Sequence, residues 1–113
     1  MGNPVVHFEI HGNSRKQNGF YTKVFGWKVD ANNPMNYGMV NTKNKRGING
    51  GLTGSKLAPA TVIYIAAKSV KACLKKAKAA GGKVVIEETA IPGGPTIGMF
   101  RDPSGNNIGL VKA

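Results

Sequence analysis

Acidic residues are scarce in this chain of 113 residues: five Asp and Glu stand against sixteen Lys and Arg, for a formal net charge of +11. Such a bias draws a protein towards polyanions by long-range attraction. There is one cysteine, Cys73, so an internal disulfide is excluded and a reducing compartment is the natural setting. No apolar run approaches the ~20 residues that span a bilayer. The N-terminus has no apolar stretch of the signal-peptide kind. The expectation is a cytoplasmic domain with no membrane partner. Aromatic residues make up 7% of the chain and do not interleave with the basic ones, so base stacking on single strands is not expected. Non-specific adhesion to polyanions is. Asparagines sit at turn positions where Asp would serve equally well, among them Asn13, Asn32, Asn33, Asn41 and Asn44. That pattern raises net charge while keeping turns intact, and leaves both an engineered cationic surface and a naturally basic protein open.

What is present begins with Val5-Val6-His7-Phe8-Glu9-Ile10-His11, an alternation of period two. On a strand this puts Val6, Phe8 and Ile10 on one face and His7, Glu9 and His11 on the other. Arg15 to Phe25 follows as a helix after a turn and cap at Gly12-Asn13-Ser14, and Gly26 closes it. Phe20, Tyr21, Phe25 and Trp27 stand at helical or helix-end spacing and read as core. Short strands are expected at Trp27 to Asp30, Tyr37 to Asn41 and Ile48 to Leu52. The order then recurs. Ala60 to Ala66 is a strand, and Ser69 caps a helix with Val70, Cys73, Leu74 and Ala77 on one stripe. Gly81-Gly82 ends that helix, and strands follow at Lys83 to Glu87, Thr96 to Arg101 and Asn107 to Lys112. Cys73, on the apolar stripe, reads as a small core residue.

Ser14 and Ser69, Gly26 and Gly81, and Val29 and Val84 are 55 positions apart; Gly38-Met39 and Gly98-Met99, and Ile48 and Ile108, are 60 apart. One domain over 1–113 is expected, with module one over about 4–55 and module two over about 58–113. Each copy alone would leave one face of its sheet bare. The expected class is α+β: two βαβββ modules forming an open, cup-like mixed sheet with helices on the outside.

The duplicated unit, His7 on its first strand, "FYTKVFGWKVD" and the closing "FRDPSGNNIGLV" together resemble the vicinal oxygen chelate superfamily. That family comprises glyoxalases, extradiol dioxygenases, fosfomycin-modifying enzymes and bleomycin-binding resistance proteins. The resemblance implies a homodimer and, in enzymatic members, a divalent metal held by His or Glu from the first and last strands of each module. His7 matches the first-strand ligand position. Its counterpart 55 residues on is Val62; Gly109 stands at the usual closing-strand Glu position, and its counterpart 60 earlier is Asn49. Three ligands from one strand, His7, Glu9 and His11, spread over about 13 Å and do not close on one ion.

Three functions remain. A small-molecule-binding protein without a cofactor would use His7, Glu9 and Arg101 as polar anchors, Glu9 pairing with Arg101, and Tyr37, Met39, Tyr64 and Met99 as walls. A metal-dependent lyase, isomerase or dioxygenase would use His7 as ligand, with Glu9 as ligand or base. A cationic scaffold would bind polyanions through its surface. The Gly-rich run Gly47 to Gly51 lacks the Lys-Ser/Thr and following helix of a phosphate loop, so nucleotide binding is not expected.

Overall fold

Strand β1, Val5–Gly12, opens a sequence of elements that the duplicated pattern anticipates. It is followed by α1 (Ser14–Phe25), β2 (Lys28–Asp30), β3 (Gly38–Asn41) and β4 (Gly50–Gly54). The second copy is β5 (Ala60–Ala67), α2 (Val70–Ala79), β6 (Lys83–Ala90), β7 (Thr96–Arg101) and β8 (Asn107–Lys112). These elements come from a computed structural model, which describes residues 2–12, 14–54 and 60–113. The expected turn at Asn13 and cap at the Ser14 side chain, and the expected module ends at 55 and 58, lie outside the described residues.

The class is α+β, with two βαβββ modules. The chain divides into two compact units, His7–Val62 and Met1–Val6 with Ile63–Ala113. The first residues join the later unit: the Pro4 carbonyl accepts from Ala66 N at 3.0 Å. Within the first unit the strands run β2-β3-β4-β1, with β1 parallel to β4 and the other pairs antiparallel. Within the second they run β5-β8-β7-β6, with β5 parallel to β8. Each sheet is therefore mixed in the same way.

The α2 unit shows how sequence becomes packing. Ser69 is extended (φ −131°) and its hydroxyl accepts from Ala72 N at 3.1 Å, satisfying one free donor of the first turn. Gly81 takes φ +101°, a conformation that L side chains rarely adopt, and stops the helix. The stripe then buries Val70 and Leu74 against Leu110, with Ile65, Cys73, Val84 and Phe100 around them. A Cβ on Gly98 would come within 2.7 Å of Val70, so the absent side chain is what lets α2 approach the sheet.

On α1 the expected stripe is only partly buried. Phe20 and Phe25 are 56% and 60% exposed, and Val24 is exposed too. Tyr21 alone turns inward, stacked on Trp27 with ring centroids 5.2 Å apart, and Trp27 in turn lies 5.5 Å from Phe8. Leu52 and Val40 are buried as well, while Phe20 and Phe25 lean on the rim of the stack, Phe20 5.1 Å from Tyr21 and Phe25 5.4 Å from Trp27. Complete burial of a side chain such as Leu52 is worth about 1.5–3 kcal/mol.

Strand β4 starts two residues later than the sequence suggests. Gly47 to Asn49 close the preceding loop, with Asn49 Oδ1 accepting from Thr42 N at 3.0 Å and Gly47 N donating to Asn44 O. The ladders consequently match Leu52 with Leu110 and Gly51 with Gly109, since Ile10 pairs with Leu52 and Ile65 with Leu110. The repeat runs at 55 between β1 and β5, 60 between β3 and β7, and 58 between β4 and β8. Gly109 therefore corresponds to Gly51, and Asn49 drops out of the set of equivalent positions.

Candidate functional site

Because β1 alternates, Phe8 and Ile10 point towards α1 and His7, Glu9 and His11 point the other way. On that second face Glu9 pairs with Gly51 of β4, and Gly51 pairs with Met39 of β3. Gly51 contributes no side chain. The ring of Tyr37 lies over it instead, on the spot where a Cβ would stand.

Tyr37 arrives there from the loop before β3. Asn36 takes a left-handed conformation (φ 52°), which Asn tolerates better than most residues. Asn33 then clamps the backbone of Tyr37: its Oδ1 accepts from Tyr37 N at 2.9 Å and its Nδ2 donates to Tyr37 O at 2.6 Å. The hydroxyl so placed donates to Glu9 Oε2 at 2.8 Å and lies 2.9 Å from His7 Nε2. A phenol has one proton, and here the carboxylate takes it. His7 Nε2 must then carry its own hydrogen and donate to the tyrosine oxygen. At the other end His11 Nε2 lies 2.7 Å from Glu9 Oε1.

The result is a continuous chain, His7 to Tyr37 to Glu9 to His11, with both carboxylate oxygens engaged. The Glu9 and His11 side chains are 13% and 24% exposed, so the chain is sheltered but reachable. Burial pushes the pKa of His7 below its ordinary value, against the opposing pull of the Glu9 charge. A neutral imidazole suits the tautomer that the hydrogen bonds require. Chemically, the set can hold a ligand's hydrogen-bond donor at a fixed carboxylate and can pass a proton along His7, Tyr37 and Glu9. Met39, 61% exposed on the same face, adds an apolar surface beside it.

In the second module, Tyr64 sits 55 positions after Glu9 and its ring covers Gly109, as that of Tyr37 covers Gly51. Tyr64 and Met99 are buried. Arg101 is exposed, with Nε donating to Asn107 Oδ1 at 3.1 Å, and Glu9 bonds to Tyr37 and His11. The sequence reading places Tyr37 as a wall, whereas the geometry makes it, together with His11, a direct partner of Glu9. A Gly-Gly pair inside a strand was the available signal, because such positions mark a close approach by another group.

The resemblance asks for four metal-ligand positions, and they hold His7, Val62, Gly51 and Gly109. Val62 is a buried hydrocarbon, and tyrosine rings occupy the side-chain space of the two glycines. His7 is the single donor, and its Nε2 is engaged by Tyr37. Among the described residues no group of three or more His, Cys, Asp and Glu side chains is arranged to hold an ion. These residues do not fit a divalent metal of the expected kind.

Comparison with solved structures places the fold among known ones. A glyoxalase/bleomycin resistance protein/dioxygenase superfamily member from Vibrio splendidus 12B01 superposes with a TM-score of 0.68 at 14% identity, over 99% of this chain and 100% of that one. A hypothetical protein from Bacillus halodurans C-125 gives 0.75 at 15% identity, over 100% and 96%. The Mn(II)-bound glyoxalase from Novosphingobium aromaticivorans gives 0.64 at 21% identity, over 97% of this chain and 38% of that one. No curated protein matches the sequence. No described helix is long and apolar enough to cross a membrane. The model of the Glyoxalase/Bleomycin resistance protein/Dioxygenase superfamily matches residues 12–110, and the chain belongs to that superfamily.

Proposed function

We propose that this protein binds a small molecule without a metal ion, and that the His7–Tyr37–Glu9–His11 chain is its polar anchor. One observation carries the reading: Tyr37 stands over Gly51 and joins His7 to Glu9, in the space where a ligating carboxylate would have to project. The ligand class that fits is a compact molecule with a hydrogen-bond donor for Glu9 and an apolar, planar body to lie against exposed Met39. Glu9 acts as an acceptor that orients the ligand, since a carboxylate offers about four lone-pair sites and Tyr37 and His11 address one oxygen each. The metal-dependent alternative keeps only His7 in the role that the superfamily gives it.

The test has two arms. Metal analysis of protein purified without a chelating resin is expected to find less than about a tenth of an equivalent, because a working site is occupied. A stoichiometric divalent ion would sink the metal-free reading. A thermal-shift screen of planar aromatic amines, phenols and thiols is expected to give hits that raise Tm in proportion to the logarithm of ligand concentration. Those hits should vanish in Glu9→Gln. Stabilisation that survives unchanged in that variant would place the ligand elsewhere.

A further inference from the structure

We propose that the cleft between α2 and β6 is a docking site for the phosphodiester backbone of a nucleic acid duplex. This cleft lies wholly within the second unit and is independent of the anchor described above. It has a volume of about 570 Å³ and is walled by Lys71, Lys75, Lys78 and Lys83 over a floor that includes Leu74 and Val84. The first three lysines stand at i, i+4 and i+7, on one face of α2 and about 10 Å from first to last. Lys83 is brought opposite by the Gly81-Gly82 turn at the start of β6.

The positive charge in this cleft is in excess: four lysines line it against one carboxylate, Glu87. Among the described residues none of the four lysines takes part in an ion pair. Four of the five acids accept other hydrogen bonds. Asp30 and Asp102 hold turns, Glu9 holds the anchor, and Glu88 accepts from the backbone N of Lys71 at 3.0 Å. Glu87 borders the cleft without pairing to any of its lysines. A concave surface in which four lysines outnumber one carboxylate, over a low-dielectric floor, focuses its positive field more than the same charges spread over a convex face.

The shape of the charge selects the partner. A duplex carries one negative charge per about 1.7 Å of its axis, so the stretch covered by α2 meets several phosphates at once. No aromatic side chain lines the cleft, so bases are not stacked and no sequence is read. A membrane-surface helix buries an apolar face among the headgroups. On α2 that stripe, Val70 and Leu74, is already buried in the protein's own core.

The experiment measures affinity for a short mixed-sequence DNA duplex between about 50 and 200 mM salt. It compares the full chain with two charge-matched variants. One carries Lys71→Gln, Lys75→Gln, Lys78→Gln and Lys83→Gln. The other carries Lys23→Gln, Lys28→Gln, Lys45→Gln and Arg46→Gln, all on the other module. At about 0.9 per phosphate contact, the cleft variant should lose roughly 3 to 4 from the slope of log K against log salt, and the control less than about 1. Equal losses would overturn the proposal, since net charge alone would then account for binding. Tighter retention on phosphatidylserine-rich vesicles than on the duplex at the same salt would also overturn it, in favour of a membrane surface. Should the fourfold cleft variant fail to fold by circular dichroism, the pairs Lys71→Gln/Lys75→Gln and Lys78→Gln/Lys83→Gln should each show about half the effect.

Discussion

Tyr37 and Gly51 are complementary: the phenol ring fills the place of the side chain that the glycine lacks, and its hydroxyl continues to Glu9 at 2.8 Å. A methyl group added at position 51 must therefore displace a ring that is held by two hydrogen-bond partners. Gly51→Ala is expected to cost about 1–3 kcal/mol. In a Tyr37→Ala background most of that cost should disappear. Urea denaturation of the four proteins in a double-mutant cycle gives the coupling, and a value below about 0.5 kcal/mol would show that the two residues do not compete.

Tyr37→Phe keeps the ring over Gly51 and removes the oxygen between His7 and Glu9. Both polar groups are partly buried, so losing their shared partner should destabilise the protein by about 1–2 kcal/mol. The same variant should weaken any ligand whose binding depends on Glu9. An unchanged denaturation midpoint would mean that the hydroxyl contributes nothing to the chain.

The lowered pKa of His7 has a consequence for acid stability. Between that lowered value and the ordinary value of 6.5, the unfolded chain holds more protons at this position than the folded one. Stability therefore rises with pH across that window and is lost as pH falls below about 6.5. An NMR titration of the His7 ring should show a midpoint below 6.5. His7→Gln should flatten the dependence of Tm on pH in the same window; an equally steep dependence in that variant would assign it to other groups.

Buried and exposed apolar side chains should respond very differently to truncation. Leu52 and Leu110 are essentially inaccessible, so Leu52→Ala and Leu110→Ala should each cost about 2–5 kcal/mol. Phe25, for all its size, is 60% exposed, and Phe25→Ser should change stability by no more than about 0.5 kcal/mol. A large loss at Phe25 measured by chemical denaturation would mean that α1 seats its stripe more deeply than the geometry shows.

Much of this architecture is legible in the sequence because it is written in local terms. Alternation assigns Phe8 and Ile10 to one face of β1 and His7, Glu9 and His11 to the other. Ser69, Gly26 and Gly81 mark helix ends through requirements that belong to single residues. The duplication is visible because the caps and glycines repeat. What escapes is whatever depends on a loop's internal hydrogen bonds. The Asn49 clamp on Thr42 delays β4 by two residues and changes the spacing of the repeat from 60 to 58 there. Helical spacing likewise cannot tell that Tyr21 stacks on Trp27 while Phe20 and Phe25 stay exposed. The bridging role of Tyr37 is tertiary throughout, resting on a left-handed Asn36 and the two bonds from Asn33.

The paired arrangement of tyrosine over glycine also constrains how this sequence can change. A carboxylate introduced at position 51 would collide with Tyr37, and one at position 109 with Tyr64, since each aromatic ring already stands where the new Cβ would be. A metal-ligating form of this site would thus be separated from this chain by coupled substitutions in each module, with the single-step intermediates penalised whichever residue changes first. Removing a tyrosine opens a cavity, and adding a carboxylate before that creates a clash. The two states are neighbours in fold and distant in mutational steps.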